Sequence, residues 1–208
     1  IFWTPFLDAT NTSNPDRIFS SENFFALSDQ TLYLEQKALF DSSLDDFNIY
    51  APMLSRINAV FGSNDNDYRS LPSWKIPISG GKTQKTFLKY EDVTHKTKLF
   101  RFQIPMFKLS ELYLIAAETA PVPADGIAFL NTLRFNRGLT NLAATAVLAT
   151  EITKEYRKEF IGEGQLFFYY KRTNSTAIPN GSATSGNVTM NAVKYVVPLP
   201  DNEVNFQN

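Results

Sequence analysis

The chain has 208 residues, 43% hydrophobic and 20% charged, which suits a globular domain or a large piece of one rather than a disordered segment. Lys and Arg total 20 against 21 Asp and Glu, a formal charge of −1, so the electrostatic argument for a nucleic-acid partner falls away. There is no cysteine, which excludes disulfides and thiolate metal sites, and no apolar run is long enough to cross a membrane as a helix.

Residues 1–20 mix aromatics with Pro5, Pro15 and an Asn/Thr/Ser cluster, which is loop chemistry. Phe2, Trp3 and Phe6 suit burial, the alternative being part of a binding surface. The segment Ser21–Ser28, SENFFALS, is too short for periodicity to separate strand from helix. Leu32–Phe40 predicts a short helix. Phe47–Phe61 predicts a longer one, with Met53, Leu54, Ile57 and Phe61 on one side and Gly62 as its end. A polar loop, SNDNDYRSLPSW, follows; Gly80 and Gly81 then predict a turn, and Thr86–Tyr90 alternates as a strand does.

The stretch Pro105–Gly138 organises the rest. Ser110 is placed to cap a helix whose first turn carries Glu111, where negative charge suits the helix N-terminus. Leu112, Ile115 and Ala116 follow at helical spacing, with Tyr113 and Ala117 widening the buried face, and Pro121 and Pro123 end the run. Asp125 is placed to cap a second helix in which Ile127, Leu130, Leu133 and Arg134 share a face, closed by Gly138. A short Pro-broken link makes the pair, near 110–119 and 125–137, an antiparallel hairpin. Small residues at Ala116, Ala117 and Ala128 would let the two axes approach. A third helix is predicted over 151–161, capped by Thr150, with Ile152, Tyr156 and Phe160 as its apolar stripe. On it Glu151, Glu155 and Glu159, interleaved with Lys154 and Lys158, read as a salt-bridged helix face rather than as paired catalytic acids. Gly162 and Gly164 interrupt that helix and QLFFYYKR resumes it. Residues 173–189, rich in Asn, Ser, Thr and Gly, are expected to contain a mobile loop, and Lys194–Leu199 reads as a buried strand or extended segment.

Little here assembles a reaction. SGGKT at Ser79–Thr83 lacks the earlier glycine of a phosphate loop, and Ile76 stands in its place. Asp65 and Asp67 could open a calcium loop, but Arg69 occupies the next ligand position. His95 is the single histidine, and no Gly-x-Ser-x-Gly turn presents a nucleophile. No catalytic residue, metal or cofactor is therefore expected. The unusual quantity is the aromatic content, 14%, with 18 Phe and 9 Tyr. Most of these rings must be core, including Tyr113, Phe129 and Phe135 on the hairpin. Tyr68 and Trp74 lie instead in a polar loop, where Asp65, Asp67 and Arg69 supply donors and acceptors for a hydroxyl-rich ligand. These five residues are the candidate ligand site, the alternative being that Trp74 anchors the loop to the core.

Four segments occur in a specific order: IPMFKLSELYLIAAETA, FLNTLRFNRGL, EITKEYRKEFIGEGQLFFYYKR and YVVPLPDNEVNFQN. In that order they resemble the C-terminal half of the RagB/SusD family of Bacteroidetes outer-membrane nutrient-binding lipoproteins, from about Asn64 to Asn208. The resemblance implies a mainly α, SusD-like fold of tetratricopeptide-type helical hairpins with a few short strands and long loops, and favours a strand at Ser21–Ser28. It implies one SusD-like domain over 1–208 that is the C-terminal portion of a longer chain, with an N-terminal part holding more helices and a lipid anchor. It implies a non-catalytic protein on the extracellular face of the outer membrane that captures a glycan or other nutrient and delivers it to a TonB-dependent, SusC-like transporter. A glycoside hydrolase and a helical docking scaffold are the competing readings. Many members carry Gly-Glu-Gly-x-Arg-x-x-Asp after the last long helix; here Leu166 and Tyr169 replace the last two polar residues, which leaves Glu163 to find another partner, Arg157 or Lys171.

Overall fold

The structure is a computed structural model, and it describes residues 1–62, 66–77, 81–198 and 200. Helices dominate. In chain order the elements are α1 (Phe6–Ala9), β1 (Asn23–Ser28), α2 (Leu32–Phe40), α3 (Leu54–Phe61), β2 (Trp74–Lys75), β3 (Thr86–Phe87), β4 (Gln103–Lys108), α4 (Leu109–Thr119), α5 (Pro123–Phe135), α6 (Leu148–Phe160), α7 (Leu166–Arg172), β5 (Ala177–Pro179) and β6 (Asn187–Thr189). The strands form three antiparallel pairs, β1 with β4, β2 with β3 and β5 with β6. Among the described residues no helix is long and apolar enough to cross a membrane.

The hairpin is α4 and α5, and α6 packs against both. Its boundaries differ from the capping pattern in an instructive way. Helix α4 begins at Leu109, directly off β4, so Ser110 lies inside its first turn and is buried rather than capping. Helix α5 begins at Pro123, which starts the second helix rather than ending the first; a proline at N1 costs no hydrogen bond because that N–H would be unpaired anyway. Asp125 sits in the first turn. The two helices lie close at Gly126, where a Cβ would stand 2.8 Å from the Ala117 carbonyl oxygen, whereas Ala128 is exposed. Leu114, Ala117, Leu130, Leu133, Ile152, Tyr156 and Phe160 then form the main core, joined by Tyr169 and Tyr170 of α7.

Other boundaries shift for identifiable reasons. Helix α3 starts at Leu54 rather than Phe47 because Pro52 cannot continue a helix and disfavours helical backbone in the residue before it. Asp45 instead collects the N–H groups of Phe47 and Asn48 in a turn. Helix α6 starts at Leu148, placing Thr150 inside its first turn. Strand β3 keeps only Thr86–Phe87. Residues 173–189 are not one long loop. They hold the β5–β6 hairpin, with Ile178 opposite Val188 and both packed on the main core. Arg56 pins it by donating to the carbonyls of Ala183 and Gly186, each at 2.7 Å. Of Lys194–Leu199, Lys194 and Tyr195 belong to a 3-10 turn over Val193–Tyr195, Val196 is extended but, like Val197, largely exposed, and Leu199 lies outside the described residues. The Tyr195 hydroxyl donates to the Ser175 carbonyl at 2.7 Å. Gly80 lies outside the described residues.

A second, smaller core gathers Ile57, Phe61, Trp74 and Phe87, with Phe40 and Tyr90 at its edge. Trp74 stands 4.8 Å from Phe87 between ring centroids and is 7% exposed. Replacing Trp74 with Ala should therefore cost about 3–5 kcal/mol of folding stability. Urea unfolding measures this, and a variant as stable as the parent would remove Trp74 from the core.

Candidate functional site

The residues around the polar loop are held by buried charge. Helix α6 carries Glu155 and Glu159 four apart, hence on one face, and both are fully buried; along that row Glu151 pairs with the exposed Lys154 at 2.6 Å and Glu155 with Lys158 at 3.0 Å. Arg137, just past α5, is also fully buried. It forks onto Glu22, Nη1 to Oε1 at 2.8 Å and Nη2 to Oε2 at 2.7 Å, and reaches Glu159 Oε1 at 2.9 Å. Arg69 forks onto Asp67 at 2.8 and 2.7 Å, and its guanidinium lies 2.9 Å from Glu155 and 3.3 Å from Glu159. Lys108, at the end of β4, meets Glu159 at 3.3 Å and Glu163 at 3.0 Å. Glu163 also pairs with Lys89. Its partners are thus these two lysines, not Arg157 or Lys171; Arg157 donates to the Tyr170 hydroxyl at 2.8 Å. Tyr169, which stands where the family pattern has Asp, stacks on Tyr156 with centroids 4.0 Å apart.

Burial alone would raise the Glu159 carboxyl, but Arg137, Lys108 and Arg69 overcome it and hold the group well below the usual carboxylate range. Burial likewise works against Glu155, and Arg69 and Lys158 bring it down to about 2. Both glutamates are therefore fixed anions, committed to cations already present.

This network shapes a cleft. Asp67 and Arg69 lie on either side of Tyr68 in the chain, and the Tyr68 N–H donates to the Arg137 carbonyl at 3.1 Å. Glu22 Oε1 accepts from the Thr4 N–H at 3.1 Å, fixing the N-terminal segment opposite. Gly138 adopts a φ of +76°, and a Cβ there would strike the Tyr68 ring and the Asn66 carbonyl oxygen. Leu139 N–H returns to the Arg134 carbonyl at 2.9 Å, and Arg134 in turn donates to the Thr140 carbonyl at 3.0 and 2.9 Å. The result is a cleft of about 690 Å³ walled by Trp3–Phe6, Tyr68 and the segment from Phe135 to Asn141. The Phe6 and Tyr68 rings lie 4.9 Å apart at 43°. Thr4, Asn136, Thr140 and Asn141 supply the polar groups, and no charged residue is in the lining among the described residues.

Of the five candidate residues, then, Tyr68 lines the cleft. Asp67 and Arg69 are spent on each other and on α6, and Trp74 belongs to the smaller core, so all three are buried where a surface loop was expected. Asp65 lies outside the described residues. Sequence reasoning missed Phe135, assigned to the core but 75% exposed. It is two residues, about 200°, beyond Leu133 and so faces away from the Ile127, Leu130 and Leu133 face. Phe6 and Trp3 carried a usable signal, aromatics in a proline-bearing loop with no periodicity to bury them.

Because both buried glutamates have depressed pKa values, they contribute stability that is present above the ordinary value of 4.5 and is lost as pH falls below it, for Glu155 down through about 2. Acid titration of the melting temperature should show that loss. Glu159→Gln should flatten it and, by leaving Arg137 and Lys108 short of an anion, cost about 3–5 kcal/mol at neutral pH. A parent whose stability is level from pH 5 to pH 2 would contradict the assignment.

No family model matches the sequence, and no curated protein matches it. Among solved structures, a SusD superfamily protein from Bacteroides thetaiotaomicron is similar over 89% of this chain, with a TM-score of 0.67 and 20% sequence identity. The chain spans 47% of that protein's length. At that TM-score over most of the chain the backbone course agrees: the chain has a SusD-like fold.

Proposed function

We propose that this chain is the ligand-recognising portion of an extracellular, lipid-anchored outer-membrane protein that binds a neutral glycan and delivers it to a TonB-dependent, SusC-like transporter. The observation that carries the reading is the uncharged aromatic cleft around Tyr68. Its volume is that of small-molecule sites generally. The C–H faces of a sugar ring suit flat π surfaces such as Phe6, Tyr68 and Phe135. The amides of Asn136 and Asn141 and the hydroxyls of Thr4 and Thr140 match hydroxyl groups as both donors and acceptors. A uronate or sulfate would have to shed its water there with no cation among the described lining residues to replace it.

The SusD-like fold supports the transporter partner and the outer-membrane setting. Asp67, Arg69 and Trp74 serve this function by holding the Tyr68 loop rather than by touching ligand. Hydrolysis of a glycosidic bond needs two carboxylates across the cleft, and among the described residues this lining carries none.

Titration with neutral oligosaccharides by calorimetry tests the proposal. Phe135→Ala should weaken binding roughly three- to tenfold and leave the melting temperature unchanged, since the ring is largely exposed. Tyr68→Ala should weaken it at least as much. Binding that is indifferent to both substitutions would place the ligand elsewhere, and a preference for acidic oligosaccharides would overturn the neutral assignment.

A further inference from the structure

A second concavity, of about 420 Å³, lies between α4 and α7 and shares no residue with the Tyr68 cleft. Its floor is Tyr156 and Phe160, four apart on α6, and its rim is Met106, Ile115 and Phe168, which are 43%, 40% and 64% exposed. One residue in it carries charge without a partner. Glu111, in the first turn of α4 and four before Ile115, is half-buried and makes no ion pair or hydrogen bond with any described residue.

The neighbouring cations are already committed. Arg172 lines the same groove, but its guanidinium forks onto Glu118 at 2.9 and 2.7 Å. Lys108, one turn before Glu111, is fully buried and turned toward Glu159 and Glu163. Burial raises the Glu111 carboxyl above its usual value; Lys108 lowers it, Glu163 raises it and Arg172 lowers it, without restoring it. The groove therefore offers an apolar slot with one under-solvated anion at its edge. Such a carboxylate gains most from a ligand that brings the missing positive charge while its body covers the apolar rim.

We propose that this groove binds a small organic cation, an ammonium group carried on an aryl or alkyl body, with Glu111 as counter-charge and Phe168, Met106 and Ile115 as the apolar contact. The body would lie along the rim and the ammonium would meet the Glu111 carboxylate at the start of α4. This site is separate from the glycan cleft and does not depend on it.

The probes are 3-phenylpropylammonium, 3-phenylpropanol and 3-phenylpropanoate, which share one body and differ in charge, titrated against the chain by calorimetry. The ammonium should bind about fivefold or more tightly than the alcohol, and the carboxylate most weakly. Glu111→Gln should reduce the ammonium to the affinity of the alcohol with the melting temperature unchanged. Phe168→Ala should weaken the ammonium and the alcohol alike, and Tyr68→Ala should alter none of the three. Equal affinities for all three, preference for the carboxylate, an ammonium preference that survives Glu111→Gln, or no binding of any probe would each overturn the proposal.

Discussion

The fold turns on the guanidinium of Arg137, held between Glu22 and Glu159 with no exposure to solvent. Three distant stretches meet there: the turn before β1, the exit of α5 and the inner face of α6. Burying such charges costs several kcal/mol per ion, and only close geometry and further hydrogen bonds offset that. Here the geometry is forked at Glu22, and the ring of Phe19 lies 3.9 Å from the Arg137 guanidinium carbon, adding a cation–π contact on its flat face. The cluster does not contribute as hydrophobic contacts do, by area. It specifies: a fork that fits two carboxylates admits one placement of each segment, and the Tyr68 loop is placed as a consequence.

The helical part of this arrangement was legible in the sequence because it rests on local rules. Apolar residues at helical spacing located α4, α5 and α6, and the proline-broken link gave the hairpin, but α4 buries Leu114 and Ala117 and leaves Leu112 and Ile115, read as its inner face, exposed. Capping was read less well. Ser110 and Asp125 are good capping types, but the backbone of β4 runs straight into α4, and Pro123 suits N1, so the strand and the proline set the starts instead.

The site was only partly legible, for a different reason. Glu155 and Glu159 lie one residue before Tyr156 and Phe160, so the acidic row runs along the edge of the apolar stripe, and helical spacing alone does not say which side of that edge meets solvent. Polar composition misled in the same way at Asp67, Arg69 and Trp74. A loop whose charges are satisfied from within can be as buried as a helix, and the satisfying partners lie far away along the chain. Tyr68 emerged because its ring, unlike its neighbours' side chains, has no charge to commit.

The separation between Glu22 and Arg137, 115 residues along the chain, has a consequence for how the molecule assembles. Contacts within α4, α5 and α6 are short-range and close quickly, whereas a link of that length must first meet the entropy of closing a long loop. The helices therefore have grounds to form first, with Arg137 and Glu159 waiting for Glu22 to arrive. Thr4 is tied to Glu22 and Tyr68 to Arg137, so the two walls of the cleft come together in that same late step. Partly folded chains would carry the hairpin but not the cleft, which ties ligand binding to completion of the native topology.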